Sequence, residues 1–326
     1  MENLKEKIFT ISSNEEFNVC AFAVFQFQYA TNYIYKQFVD GLKIKADEVV
    51  SISQIPFLPI RFFKNCRVAC SADKEEIQFT SSGTTGITTS THFVLDKSIY
   101  ETSYCKAFEL FYGKVQEYCI IALLPSYSER RNSSLIYMVD DLIAKSQHVL
   151  SGYYLNADEE LRDKLLELKN QNKKTLLIGV TYALLNFADK FKLELSNCII
   201  METGGMKGRR KEMVREEVHQ ILQNAFGVIE IHSEYGMTEL LSQAYSNGNG
   251  IFKCPPWMKV EAREIDDPLS PALTQKTGGL NVIDLANLNS CSFISTQDLC
   301  KVYPDNSFEV LGRFDNSDIR GCNLLL

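Results

Sequence analysis

The chain has 326 residues, 45% of them hydrophobic and 11% aromatic, which is enough apolar material to bury a large core. Its formal net charge of −7 argues against a nucleic-acid partner, because phosphate binding depends on Lys and Arg. No apolar run reaches the roughly 18–20 residues of a membrane span, and residues 1–17 lack a signal-peptide core, so a cytoplasmic location is expected.

The first third of the chain begins with an aromatic, apolar stretch at helical spacing, which predicts a buried helix over residues 17–42. Residues 55–64, "IPFLPIRFFK", contain two prolines and are predicted to be extended rather than helical. A short apolar start, "IQF", then leads into the polar loop "TSSGTTGITT".

The middle of the chain alternates between short β-rich runs and helical patterns. This alternation predicts βαβ units and a mostly parallel sheet, and therefore an α/β fold. The predicted strands are 118–125, 148–155, 175–180, 197–201 and 228–232, and the predicted helices are 133–145, 158–170 and 208–226.

After about residue 250, short strands are separated by Pro, Gly and Asn turns. We expect residues 251–326 to form a β-rich subdomain that completes the same domain as the α/β core of residues 1–250.

The loop over residues 80–89 carries seven hydroxyl side chains and two glycines. Backbone N–H groups and hydroxyls of such a loop can bind phosphate, and Gly83 and Gly86 allow a ligand to approach closely. It is not a Walker A loop, because no Gly-Lys-Ser/Thr follows. Taken alone, the loop is equally compatible with a polar surface turn.

Three later segments, "HSEYGMTEL", "STQDLC" and "EVLGRFDNSDIRG", follow the loop in order. Together the four segments resemble the adenylate-forming superfamily, whose members activate carboxylic acids as acyl-AMP. A closer resemblance is to the acyl-protein synthetase family, ligases that load a fatty acid onto a protein thiol for a reductase. It covers nearly the whole chain and includes "METGGMKGR", "CPPWMKV" and "NVIDLANLNSCSFISTQDL".

The resemblance implies ATP and Mg²⁺ as cofactors and assigns roles to individual residues. Thr238 would contact the α-phosphate, Glu239 would help to hold Mg²⁺, and Tyr235 would stack on adenine. For Glu239 the alternative is a carboxylate in the first turn of a helix. The phosphate-binding residues would be Thr80, Ser81, Ser82, Gly83, Thr84, Thr85 and Gly86; Asp298 would bind the ribose, Arg313 would lie near ribose and phosphate, and Gly204 and Gly205 would line the adenine and acyl pocket.

Two features depart from the superfamily. A lysine that often follows the phosphate loop is replaced by Thr88, Thr89 and Ser90. Lys207, Arg209 or Arg210 could supply the missing cation, although the solvated basic start of a helix is the better explanation of these residues. In addition, the sequence ends at Leu326, where relatives continue into a mobile domain with a catalytic lysine, so we expect that domain to be absent.

Ten cysteines and four histidines are scattered without a CxxC pair, which argues against a disulfide framework and a structural zinc site. Most of the cysteines are predicted to be buried hydrophobic residues, and the histidines to be packing or surface residues. Cys322 is the exception, because the resemblance implies a C-terminal cysteine that accepts the acyl group as a thioester.

Three functional hypotheses follow. The first is an ATP- and Mg²⁺-dependent ligase that adenylates a fatty or other carboxylic acid and transfers the acyl group to Cys322, and then to a reductase or carrier protein. The second is an acyl- or aryl-CoA ligase of the phenylacetate-activating type. The third is a non-catalytic module that binds nucleotide or acyl groups.

Overall fold

The computed structural model describes residues 2–81, 89–126, 132–204 and 213–314. Within these ranges the helices are α1 (Glu2–Ile8), α2 (Asn14–Thr31), α3 (Tyr33–Gly41), α4 (Phe62–Asn65), α5 (Lys97–Tyr112), α6 (Ser134–Ser146), α7 (Asp158–Asn170), α8 (Thr181–Lys190) and α9 (Arg215–Phe226). None of these helices is both long and apolar enough to cross a membrane.

The strands of the same ranges are β1 (Leu58–Pro59), β2 (Ile77–Thr80), β3 (Thr91–Val94), β4 (Cys119–Leu123), β5 (Gly152–Tyr153), β6 (Thr175–Val180), β7 (Cys198–Thr203), β8 (His232–Tyr235), β9 (Ala244–Ser246), β10 (Phe252–Lys253), β11 (Met258–Arg263), β12 (Thr277–Asp284), β13 (Phe293–Val302) and β14 (Phe308–Arg313).

The chain divides into two compact units. The central unit comprises the described residues of 79–252 outside 83–99, and the terminal unit comprises those of 2–78, 89–99 and 253–314.

The central unit is built on a mostly parallel sheet in the order β9-β8-β7-β6-β4-β5. Strands β4 to β8 pair in parallel, and β9 pairs antiparallel with β8. Every residue of β4 and β6 is buried, as expected for strands whose two faces are both covered by helices. The α/β organisation predicted from the alternating sequence pattern is therefore confirmed.

The terminal unit contains an antiparallel sheet, β11-β12-β13-β14, with β1 parallel to β13. The register between β12 and β13 shifts between Gly279 and Asn281. Strands β2 and β3 form a separate pair. The β-rich character predicted beyond residue 250 is thus present.

The single helix predicted over residues 17–42 is wrong in one respect, because the chain breaks it at Asn32. The Asn32 side chain accepts a hydrogen bond from the Tyr35 backbone N–H at 3.0 Å and so caps α3. It also donates to the Ser290 carbonyl at 2.9 Å, in a distant part of the terminal unit. A buried amide that satisfies both partners makes the break favourable.

Two predicted strands also differ. The strand expected at 228–232 begins only at His232, because Ile229 is 88% exposed and its carbonyl accepts a hydrogen bond from the Gln223 side chain at 2.6 Å. The strand expected at 148–155 is reduced to β5. The segment 55–64 is extended as predicted up to β1, and then makes the single turn of α4.

Candidate active site

Several of the predicted site residues lie at the edge of the central sheet where its parallel strands end. Val180, Thr203 and Glu234 are register neighbours at the carboxyl ends of β6, β7 and β8. Gly204 follows β7 with a φ of 73°, in the left-handed region that favours glycine. In open α/β sheets, ligands bind beyond the carboxyl ends of the parallel strands. Gly204, Tyr235 and the turn after β8 therefore share the edge at which a ligand is expected.

The turn that follows β8 carries Thr238 and Glu239. The Leu240 N–H donates to the Met237 carbonyl at 3.1 Å, and Glu239 is only 5% exposed. The segment forms a turn rather than a helix, so the interpretation of Glu239 as a carboxylate in a first helical turn is wrong. Tyr235 is nearly buried, with its ring 6.0 Å from that of Phe252 in an edge-to-face contact.

One face of this edge holds the buried carboxylate of Glu202. It accepts a hydrogen bond from the Thr181 hydroxyl at 2.9 Å, and its other oxygen lies 3.7 Å from Arg215 Nε and 3.8 Å from His219 Nε2. Burial raises the pKa of Glu202, but His219, Arg215, Ser233 and Thr181 outweigh burial and lower it below the ordinary value. Glu202 is therefore ionised at neutral pH.

The opposite face holds Glu234, the register neighbour of Thr203. The Thr203 hydroxyl donates to Glu234 Oε2 at 2.6 Å. Burial, reinforced by the negative charge of Glu202, raises the pKa of Glu234 to about 7, although the Thr203 bond opposes the shift. A Cβ atom at Gly236 would lie 2.5 Å from Glu234 Oε1, so this carboxyl packs directly against the segment that leads to Thr238.

The raised pKa of Glu234 gives a testable pH dependence. Between pH 4.5 and 7 the unfolded chain ionises Glu234 while the native protein keeps the proton, so the free energy of unfolding falls as pH rises. Glu234→Gln keeps the acceptor for Thr203 and removes the ionisation. We expect it to stabilise the protein by up to about 3 kcal/mol at pH 8 and much less at pH 5, measured by urea unfolding.

Glu216→Gln is the matched control for this experiment, because Glu216 on α9 is exposed and its charge stays in water. The difference in unfolding free energy between that variant and the parent should be the same at both pH values. A Glu234→Gln protein whose stability follows pH as the parent's does would contradict the assignment.

The predicted phosphate loop begins at the end of β2. The Thr80 N–H donates to the Asn132 carbonyl at 2.8 Å, and the buried Phe79 ring packs edge-to-face on Tyr100 and Tyr137. The start of the loop at Thr80 and Ser81 is therefore anchored in the central unit. Residues that lie outside the described ranges are Ser82, Gly83, Thr84, Thr85, Gly86, Gly205, Lys207, Arg209, Arg210 and Cys322.

The terminal unit holds the other two predicted residues. Asp298 and Arg313 are register partners on β13 and β14, and Arg313 Nε donates to Asp298 Oδ1 at 3.2 Å. The Asp298 side chain is 9% exposed, whereas that of Arg313 is 79% exposed. The structure thus brings these two residues together, while their predicted roles in binding ribose and phosphate stay predictions.

Within the described residues, no group of three or more His, Cys, Asp or Glu side chains could hold a metal ion. Mg²⁺ does not require such a group, because it is commonly bound through one or two carboxylates together with substrate phosphates and water. A single buried carboxylate such as Glu239, in a turn beyond a strand end, fits that kind of site.

The family model described as Acyl-protein synthetase, LuxE, matches residues 6–326. The chain belongs to the acyl-protein synthetase family. No curated protein sequence matches this family member.

Solved structures of adenylate-forming ligases resemble this acyl-protein synthetase family member. An open conformation of 2-hydroxyisobutyryl-CoA ligase, in complex with 2-HIB-AMP and CoA, matches with a TM-score of 0.69 at 10% identity, over 94% of this chain and 72% of that one. ATP-bound MatB from Rhodopseudomonas palustris matches with a TM-score of 0.54 at 14% identity, over 74% of this chain and 49% of MatB. The adenylate-forming fold expected from the sequence is confirmed.

Sequence reasoning missed Glu202 and Glu234. Both are carboxylates near the ends of short strands next to residues that were singled out, "METGG" and "HSEYG". An acidic residue in a strand buried on both faces is unusual, because a buried charge needs a partner or a proton. That signal could have identified the pair before the structure did.

Proposed function

We propose that this protein uses ATP to activate a carboxylic acid as an acyl adenylate and then transfers the acyl group to a protein thiol. The observation that carries the proposal is the Thr238–Glu239 turn directly beyond the carboxyl end of β8, in a chain of the acyl-protein synthetase family. Neighbours of the same fold were solved with an acyl-AMP or ATP bound.

In the first half-reaction, a carboxylate oxygen of the acid attacks the α-phosphorus of ATP, and pyrophosphate leaves. Two anions must meet, so the attacking and leaving groups need positively polarised donors around them. Thr238 donates its hydroxyl to the α-phosphate, and Tyr235 stacks on the adenine. Glu239 would help to hold Mg²⁺ together with the phosphates, and the ion would supply positive charge against the phosphate oxygens.

Other residues bind the remaining parts of the nucleotide. The hydroxyls and backbone N–H groups of residues 80–86 hold the β- and γ-phosphates, as a polar loop after a strand can do. Asp298 accepts hydrogen bonds from the ribose hydroxyls, since an ionised carboxylate is an acceptor only. Arg313 would lie near ribose and phosphate, and Gly204 and Gly205 would line the adenine and acyl pocket.

In the second half-reaction, the thiolate of Cys322 attacks the acyl carbon, and AMP leaves as a thioester forms. A fatty acid is the proposed substrate, and a reductase or carrier protein is the proposed final acceptor. Thiolates are strong nucleophiles toward activated carbonyls. Among the described cysteines, burial raises the pKa of Cys70, Cys198 and Cys300 to about 12, so these thiols stay protonated and unreactive.

The proposal is tested by incubating the protein with ATP, Mg²⁺ and a panel of fatty and aromatic acids. We expect acid-dependent exchange of pyrophosphate into ATP without coenzyme A. Turnover that requires coenzyme A would instead identify a CoA ligase. Absence of exchange with every acid would favour a non-catalytic binding module.

A further inference from the structure

Arg263, the last residue of β11, places a guanidinium inside the terminal sheet. The residue is 8% exposed, and its Nη1 donates to the Leu280 carbonyl at 2.8 Å and to Asn281 Oδ1 at 3.0 Å. Its Nη2 donates to the Thr296 carbonyl at 2.6 Å. A buried charge bound to neutral acceptors is unfavourable unless the site gains something from it, because the cation loses its hydration.

The position of these acceptors shows what Arg263 does to the sheet. The ladder between β12 and β13 is interrupted between Gly279 and Asn281, and the Leu280 and Thr296 carbonyls lie at that interruption. Arg263 binds both carbonyls at once, as its planar fork of donors allows. A Cβ atom at Gly279 would lie 2.5 Å from Arg263 Cζ, so the guanidinium occupies the space of the missing side chain.

The same interruption leads directly to Asp298. Thr296 binds Arg263 through its carbonyl, and its hydroxyl oxygen accepts the Asp298 backbone N–H at 3.1 Å. That hydroxyl also donates to the Leu280 carbonyl at 2.8 Å. Thr296 therefore connects the buried cation to the backbone of the carboxylate through one continuous set of hydrogen bonds.

The far side of the guanidinium faces Phe314, whose ring centroid lies 5.5 Å from Arg263 Cζ. The Phe314 N–H donates to the Gln297 carbonyl at 2.9 Å, between Thr296 and Asp298. Arg263 thus contacts both β13, which carries Asp298, and Phe314, the residue that follows Arg313. The exposed Arg313 side chain touches the carboxylate from solvent, whereas Arg263 supports it from within the sheet.

We propose that Arg263 is a positioning residue for Asp298, fixing the interrupted strand so that this carboxylate is presented to the ribose hydroxyls of the nucleotide. The inference rests on the proposed role of Asp298 in binding ribose. In this role Arg263 does not contact the nucleotide itself. Loss of the guanidinium donors of Arg263 should therefore weaken recognition of the ribose hydroxyls specifically.

The test measures calorimetrically the binding of ATP, 2′-deoxy-ATP and 3′-deoxy-ATP in the presence of Mg²⁺. The parent protein should bind ATP more tightly than either deoxy analogue. Arg263→Met should weaken ATP binding about tenfold and affect the deoxy analogues less, so that the preference collapses. Arg263→Lys keeps the charge but cannot hold both carbonyls in one plane, and should lose most of the preference too.

Arg67→Met is the matched control. Arg67 also lies in the terminal unit, pairs with Glu75 at 2.8 Å and lies 4.6 Å from the Phe93 ring centroid, so its loss also removes a guanidinium with a polar and an aromatic partner. That variant should keep the full preference for ATP.

In an Asp298→Asn background, Arg263→Met should have little further effect on ATP binding, because Arg263 acts through Asp298.

The outcomes separate this inference from the function on which it rests. Full preference for ATP in a folded Arg263→Met or Arg263→Lys protein, with loss of preference in Asp298→Asn, overturns the role of Arg263 alone. Equal binding of ATP and the deoxy analogues by both the parent and Asp298→Asn overturns the ribose role of Asp298, and the Arg263 inference with it.

Discussion

Replacing Cys322 by serine is expected to abolish a covalent acyl adduct on the protein. With ATP, Mg²⁺ and an accepted acid, the parent should gain the mass of the acyl group, and neutral hydroxylamine should remove it, because hydroxylamine cleaves thioesters. Serine is a far weaker nucleophile without a neighbouring base, so the variant should show no labile adduct by intact mass spectrometry. Its acid-dependent pyrophosphate exchange should remain, since adenylation precedes the thiol step.

Cys66→Ser is the control for Cys322→Ser. Cys66 is partly exposed, whereas Cys119 and Cys291 are buried. Cys66→Ser should acquire the adduct as the parent does. A labile adduct that persists in Cys322→Ser, or that is lost in Cys66→Ser, would show that a thiol other than Cys322 accepts the acyl group.

Replacing Glu239 by alanine is expected to reduce acid-dependent pyrophosphate exchange at least about tenfold, equivalent to about 1.4 kcal/mol of lost transition-state stabilisation. The reason is the loss of a fixed carboxylate that would hold Mg²⁺ against the phosphates. Glu239→Gln keeps the size of the side chain but removes the charge, and should lose a similar factor. The rate should be measured over a range of Mg²⁺ concentrations, because a lost ligand raises the concentration that is needed.

Glu216→Ala, on the exposed face of α9, serves as the control for a lost carboxylate that has no contact with substrate. It should exchange pyrophosphate at the parent's rate. If Glu239→Ala did so as well, with an unchanged Mg²⁺ dependence, Glu239 would have no role in binding the metal.

The parallel strands were predictable from local sequence. Cys119–Leu123 and Thr175–Val180 are continuous apolar runs, and strands covered on both faces need such runs, so their burial follows from composition alone. The order of the four motifs was sufficient for the superfamily, and further segments such as "METGGMKGR" and "CPPWMKV" pointed to the family, which the match over residues 6–326 confirms. Motifs are local, and a local pattern can be recognised without knowing the partners that it meets.

The break at Asn32 was not predictable in the same way. The helical pattern continues through it, and only the carbonyl of Ser290, 258 residues away, gives the amide a second partner. A tertiary hydrogen bond overrides local propensity at that position. The strand at His232–Tyr235 starts late because of a contact closer in sequence, since the Gln223 side chain donates to the carbonyl of Ile229 before the strand begins.

By itself, then, the sequence determined the fold class, the family and the residue types at the candidate site. The tertiary structure alone decided that Glu202 and Glu234 lie on opposite faces of one sheet edge with opposite pKa shifts. It also decided that Arg263 lies behind Asp298. The physical reason is that burial and charge pairing depend on which distant segments surround a side chain, and neighbours along the chain do not specify them.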